Sequence, residues 1–247
     1  MSSQILIDRF RSARSDPFLA VLEGFHPLKH ALRFGADLIE AVTINLADLS
    51  QLAAEFAPDI IDTLHREVTP VPAQVFRLLA PFPPPTGVIA IARRPAVCLT
   101  ELLDHPAPTP VVLLENPRNH NNIGAAIRVS AAAGAAGVIA IGLHDPWNPA
   151  SIISGVGLQF ALPVARAATV PDCERPLVAV DLSGEPLKAS SIPARAILAF
   201  GGERVGLSPQ LLASADHCIA IPMREGVSSL NLATAVAVVL YTWRLGH

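Results

Sequence analysis

The 247-residue sequence has little charge, few aromatics and almost no cysteine. Charged residues make up 16%, against a usual share of about 25%. Lys and Arg number 18 against 21 Asp and Glu, a formal charge of −3. No basic excess marks the chain as a nucleic-acid binder, so a polyanion would be held by a few placed cations. Cys98, Cys173 and Cys218 are far apart, odd in number and in no CxxC pair, which argues against a disulfide framework or a zinc site. The longest apolar stretch, Leu230 to Tyr241, is broken by Asn231 and Thr234 and falls short of the roughly 18 residues of a membrane span. Met1 to Asp16 carries Arg9, Arg11 and Arg14 with no apolar core for a secretory signal, so a cytoplasmic location is expected. What abounds is apolar side chain, 51% of the total, enough for a full core and a subunit interface and incompatible with disorder.

Proline divides the chain. PFPPPTG (residues 81–87) reads as a stiff turn before an apolar strand, Val88 to Ala92, and Pro106 and Pro108 interrupt the next stretch. The expected organisation is a smaller α/β domain over residues 1–94, a proline-rich linker over 95–109 and a larger domain over 110–247. In the first domain the spacing predicts helices over Gly24 to Phe34, Leu46 to Phe56 (opened by Asn45) and Ala73 to Ala80, with a strand over Leu38 to Ile44. In the second, VVLLE (111–115), GVIAIG (137–142), LVAVD (177–181), AILAFG (196–201) and CIAI (218–221) are short apolar runs. Such runs are strands of a parallel sheet buried on both faces. Helices are expected over Ile123 to Ala133, Ser208 to Ala215 and Val227 to Leu245.

Ligands in open α/β sheets bind beyond the carboxyl ends of the strands, and three polar segments fall there. ENPRNHNNIGAAIR (115–128) offers a helix entry at Asn122 and Gly124, with Arg118, His120 and Arg128 near a mouth that suits an anion; an ordinary loop with a capping Asn and a solvated Arg would read the same. FGGERVGLS (200–208) lets backbone approach a ligand at Gly201 and Gly202 and adds Glu203, yet it is neither GxGxxG nor a P-loop. The third segment (221–243) sets Ser228, Ser229 and Asn231 at the start of a helix that is apolar all round. Such a helix needs cover on two sides, its own sheet and a second copy of the chain.

Together and in this order the segments resemble the SpoU/TrmH family of RNA ribose 2′-O-methyltransferases, within the SPOUT superfamily. The resemblance spans about residues 110–245 and rests on Asn122-x-Gly124-x-x-x-Arg128, on Phe200-Gly201-Gly202-Glu203-x-x-Gly206-Leu207-Ser208, and on Ile221-Pro222-Met223 followed by Ser229-Leu230-Asn231. EGFHPLKHALRFGAD (23–37) more loosely resembles the start of the ribosomal-protein L30e-like RNA-binding domain that precedes many such catalytic domains. The resemblance implies a trefoil-knotted α/β catalytic domain with a mostly parallel sheet behind a smaller L30e-like α/β domain. It implies S-adenosylmethionine bound by Gly201, Gly202, Ile221, Met223 and Leu230, with Asn122, Arg128, Glu203, Ser229 and Asn231 as the polar active-site set and no metal. It also implies an RNA substrate, ribosomal or transfer, and a homodimer built through the carboxyl-terminal helix.

The implied chemistry places a ribose 2′-oxygen in line with a sulfonium methyl, and positioning alone is worth roughly 7–11 kcal/mol. Two roles stay open for Arg128: proton acceptor in a dry site, or clamp on phosphate and developing alkoxide. Relatives commonly carry glycine where this chain has Glu225, followed here by Gly226. Arg118, Arg128, Arg204 and Arg224 all fall in the three segments, and Arg9, Arg11 and Arg14 would add a basic arm. A non-catalytic RNA-binding or assembly protein on the same fold is the alternative; a Rossmann oxidoreductase lacks its fingerprint.

Overall fold

The computed structural model describes residues 2–170 and 172–246. Met1 and His247, the outer bounds of the two expected domains, lie with Pro171 outside the described residues. In chain order the elements are α1 (Ser3–Ala13), β1 (Leu19–Glu23), α2 (Phe25–Arg33), β2 (Leu38–Thr43), α3 (Leu46–Phe56), α4 (Ile61–Glu67), β3 (Thr69–Pro70), α5 (Ala73–Phe76) and β4 (Val88–Arg93). There follow α6 (Leu99–Asp104), β5 (Val111–Glu115), α7 (His120–Ala133), β6 (Gly137–Ile141), α8 (Pro149–Ser154), β7 (Val164–Ala167) and β8 (Leu177–Pro186). The chain continues through β9 (Ile197–Gly201), α9 (Pro209–Ser214), β10 (His217–Ala220) and α10 (Leu232–Gly246). They form two compact units: the residues up to Ala96 with Trp147–Ala161, and Val97–Pro146 with the residues from Leu162 onward.

The first unit holds a four-stranded sheet of order β1-β4-β2-β3, antiparallel except for the β2–β3 pair. Asn45 caps α3, its side-chain oxygen accepting from Ala47 N–H at 2.9 Å, a pairing that the sequence announces. The helix expected over Ala73 to Ala80 stops at Phe76 and gives way to turns. Arg9, Arg11 and Arg14 are not an arm. They lie on or at the end of α1, which buries Leu6, Ile7, Phe10 and Ala13; this i, i+3, i+4 stripe holds it on the core. Arg9 pairs with Glu40 at 2.8 Å, Arg14 pairs with Glu23, and Arg11 reaches Asp8. The 147–161 segment belongs to this unit through contacts of α8 with β1. A Cβ at Gly157 would lie 2.3 Å from the Pro27 carbonyl oxygen.

The second unit is a six-stranded, wholly parallel sheet of order β10-β8-β9-β5-β6-β7. β5 lies between β9 and β6 and is buried at every residue. The apolar runs dictate this, because a strand without polar alternation needs cover on both faces. Gly134, in the left-handed region with φ +76°, ends α7, and α10 packs against α7. The helix expected from Val227 starts only at Leu232. Gly226 turns the chain at φ +84°, and Asn231 Oδ1 accepts from Ala233 N–H at 2.9 Å as the cap. Ser228 and Ser229 therefore sit in irregular chain before α10 instead of in its first turn.

Arg175 is 4% exposed and has no carboxylate partner among the described residues. Its guanidinium instead donates to the carbonyls of Leu102, Leu103, His105, Thr109 and Arg195 at 2.6–3.3 Å. Three of these carbonyls belong to the last turn of α6 and the residue after it, where a cation offsets the helix dipole. Burial and the neighbouring Arg195 push the Arg175 guanidinium below its ordinary value. Removing it strands buried acceptors, each costing about 1–3 kcal/mol. Arg175→Met is expected to lose about 3 kcal/mol of stability, read as a lower urea midpoint; an unchanged midpoint would show that water replaces the guanidinium without cost.

Candidate active site

The middle of β8, the carboxyl end of β9 and the segments that follow β9 and β10 line one cavity of about 680 Å³. Of the residues the sequence pointed to, Gly201, Gly202, Glu203, Ile221, Met223, Ser229, Leu230 and Asn231 line it. Apolar Val180, Leu182 and Phe200 line it together with polar Glu203, Ser229 and Asn231.

Close backbone approach explains the two glycines. A Cβ on Gly201 would lie 2.0 Å from the Gly206 carbonyl carbon, and one on Gly202 would lie 2.1 Å from the Asn116 carbonyl oxygen. The loop after β9 folds back on itself, Gly206 N–H donating to the Gly202 carbonyl at 3.0 Å, with Arg204 and Gly206 both at φ +74°. Glu115, at the end of β5 and only 8% exposed, fastens the loop's far side. One of its oxygens accepts from Ser208 N–H at 2.7 Å and the other from Ser208 Oγ–H at 2.6 Å. Ser208 Oγ in turn accepts from Leu211 N–H and so caps α9.

Asn122 joins the other two segments. Its Nδ2 donates to Glu203 Oε1 at 2.5 Å, and its Oδ1 accepts from Asn231 Nδ2 at 2.9 Å. Arg118 N–H fills Glu203 Oε2 at 2.9 Å. Asn122, Glu203 and Asn231 are therefore one bonded group, although Asn122 itself is not on the cavity lining. Burial works to raise the Glu203 carboxyl, but the Asn122 amide, the Arg118 N–H, its own N–H and nearby His144 outweigh it and hold it below its ordinary value. His144 packs edge-on against His120 with centroids 4.8 Å apart. Burial, aided by His144 and opposed by Asp145, lowers the His120 imidazole below its usual range.

Arg128 is not brought to this group. It is exposed on α7, six residues beyond Asn122, and six steps of 100° put it about 120° away around the helix. Ser229 lines the cavity, is exposed and makes no side-chain hydrogen bond among the described residues. Glu225 is exposed and off the lining. Two residues that sequence reasoning passed over matter here: Glu115, and Asp181, which lines the cavity and accepts on Oδ1 from Ser183 N–H at 3.0 Å and Ser183 Oγ–H at 2.8 Å. Both end an apolar run with a carboxylate, Glu115 at the last residue of β5 and Asp181 midway along β8, the one signal that was available. Among the described residues no cluster of His, Cys, Asp or Glu is arranged for a metal, and no helix is long and apolar enough to cross a membrane.

A glycine-cradled cavity at the carboxyl edge of a parallel sheet defines a ligand-binding α/β domain of the open-sheet class. Residues 109–241 match the model of the SpoU rRNA Methylase family, and the chain belongs to that family. It is 27% identical over 258 residues to the 23S rRNA (uridine(2479)-2'-O)-methyltransferase of Streptomyces viridochromogenes, covering 96% of this chain and 85% of that one. It is 28% identical over 235 residues to the 23S rRNA (guanosine-2'-O-)-methyltransferase RlmB of Bordetella pertussis, covering 90% and 95%. The crystal structure of the AdoMet-bound rRNA methyltransferase from Sinorhizobium meliloti superposes with a TM-score of 0.74 at 25% identity, over 98% of this chain and 94% of that one.

The sign of the Glu203 displacement makes it testable. A folded-state carboxyl held below its unfolded value stabilises the fold at pH above the ordinary 4.5, and that contribution is lost as pH falls through the lowered folded value. The difference in unfolding free energy between wild type and Glu203→Gln is therefore expected to stay flat from about pH 7 to pH 5 and to shrink below about pH 4.5. A difference that grows on acidification would mean that the carboxyl is protonated in the folded site.

Proposed function

We propose that the chain transfers a methyl group from S-adenosylmethionine to a ribose 2′-hydroxyl of ribosomal or transfer RNA. The observation that carries this is the bonded Asn122–Glu203–Asn231 group at the rim of the glycine-cradled cavity, inside the stretch that matches the family. The two relatives are named for different bases, uridine and guanosine, and for the same 2′-oxygen, which supports the sugar as the reacting part.

The cavity fits the cofactor on its own evidence. About 680 Å³ suits a nucleoside-sized ligand, Gly201 and Gly202 let the lining loop close tightly on Gly206 and Asn116, and the lining carries Asp181 and Glu203 against Arg204, a negative balance that suits a ligand of net positive charge. Backbone around Gly201, Ile221 and Leu230, with Gly202 and Met223, would hold it. When bound it supplies an electrophilic sulfonium methyl. The chain's residues do the rest by placement: Asn122, itself held by Asn231, and Arg118 N–H favour the ionised form of Glu203 and orient it, and Ser229 shapes the entry. Arg118, Arg128, Arg204 and Arg224 are exposed, and none is in an ion pair among the described residues. They are free for phosphate, which supports modest, salt-sensitive RNA affinity. For Arg128 this exposure favours the clamp over the proton acceptor, which needs a dry site.

The chain works as a cytoplasmic homodimer, with the first unit, centred on residues 1–94, as the RNA-holding domain and the second, built from 110–247 without the 147–161 segment, as the catalytic one. The dimer reading rests on α10, which buries Leu232, Val236, Val239, Leu240 and Trp243 on one side while Tyr241 and Leu245 stand 41% and 85% exposed on the other. Replacing Tyr241 and Leu245 together by Glu is expected to shift the sedimenting species from dimer to monomer; a monomeric wild type would remove the interface.

Activity is tested by labelled methyl transfer into separated ribosomal and transfer RNA pools, with Arg128→Ala alongside. Label recovered as a 2′-O-methyl nucleotide from one pool, and lost by about 100-fold or more in the variant, is the expected result. Cofactor binding is expected to survive the substitution. Equal labelling by both proteins would take Arg128 out of the mechanism.

A further inference from the structure

Resting on the cofactor assignment above, we propose that Asp181 is a binding residue of the cavity and takes the ribose hydroxyls of the cofactor's adenosine. The cavity lining has two carboxylates, and they are in different states. Glu203 has both oxygens taken, by Asn122 and by Arg118 N–H. Asp181 has only one taken: Ser183 donates twice to Oδ1, which locks the carboxylate in place. Its Oδ2 lies beside Gly206, another residue of the lining. Leaving aside Gly206's chain neighbours, Oδ2 is the one atom within 4 Å of where a Gly206 Cβ would stand, at 3.9 Å. The result is a fixed, charged acceptor with an open side, set in a wall of the cavity.

What it accepts follows from its place. The reacting end of a ligand belongs beside Glu203, Ser229 and Asn231, where the exposed arginines bring RNA. A flat base belongs against apolar side chains, and Val180, Leu182 and Phe200 of the lining offer them. Asp181 stands between Val180 and Leu182 in the chain and lines the same cavity, so with the base against them the group within its reach is the sugar that links base to sulfur. A vicinal diol offers two donors, and a carboxylate is the acceptor that dinucleotide folds use for the same purpose.

Calorimetry with S-adenosylhomocysteine and with 5′-methylthioadenosine, which keeps the adenine and ribose but has no amino-acid end, tests the assignment on wild type, Asp181→Asn and Asp181→Ala. Both variants are expected to bind both ligands more weakly by a similar factor, about 10- to 100-fold for Asp181→Ala, the worth of hydrogen bonds to a charged group. Asp181→Asn, which keeps the shape and a bond to Ser183, controls for loss of fold, and thermal melts of both variants accompany the titrations. Unchanged affinity for both ligands in a folded variant overturns the proposal. So does a loss confined to S-adenosylhomocysteine, which would put the carboxylate against the amino-acid end. A wild type that binds neither ligand would overturn the cofactor assignment itself, a result distinguishable from failure at Asp181 alone.

Discussion

The two hydrogen bonds from Ser208 to Glu115 sit at the centre of the second unit. Glu115 ends the most deeply buried strand, and a carboxylate there is tolerable only because both of its oxygens are met by donors. The donors come from the residue at which the returning loop becomes α9. One buried charge therefore ties the middle of the sheet, the loop after β9 and the start of a helix into one unit. The glycine contacts follow from it: with Ser208 anchored, residues 201–207 have no slack, and the backbone must pass close to Asn116 and close over itself. The loop that lines the cavity is held at both ends, by β9 on one side and by Glu115 on the other.

Much of this was legible in the sequence, and the reasons differ from element to element. Val111 to Glu115 could be read as a buried strand because five consecutive residues show no polar alternation until the last. Asn45 announced α3, since an Asn before an apolar period is a capping signal. The start of α10 was misjudged because apolar content continues back through Val227 and Leu230. Composition does not show that Gly226 takes a left-handed turn, or that Asn231 rather than an earlier serine provides the cap. The basic residues of α1 were read as an arm because arginines catch the eye more than Leu6, Ile7 and Phe10, whose spacing decided the matter. Nothing in residues 147–161 marks them as part of the first unit; that is a property of contacts, and Gly157 against Pro27 is visible only in three dimensions.

The polar site divides in the same way. Asn122, Glu203 and Asn231 were picked out by their place in three separated segments, and the structure bonds them together. Arg128 was picked out by the same logic, and the helix turns it aside. Spacing along a helix settles which face a residue occupies, and six residues is not a spacing that returns to the same face. Asp181 and Glu115 escaped notice because each is the final letter of an apolar run, where a single acid looks like the edge of a strand.

The hydrogen bonds of the Asn group all run in one direction. Ala233 N–H points to Asn231, Asn231 N–H to Asn122, and Asn122 N–H to Glu203. Each amide is thus polarised in the same sense by the one before it, and chains of this kind strengthen their members. The first donor is a backbone N–H at the amino end of α10, where the helix carries its partial positive charge. The two asparagines extend that charge from the helix to the carboxylate through side chains that are themselves neutral. Turning either amide over would set donor against donor or oxygen against oxygen, so the line has a single polarity, and Glu203 receives the electrostatic influence of a helix whose end it never touches.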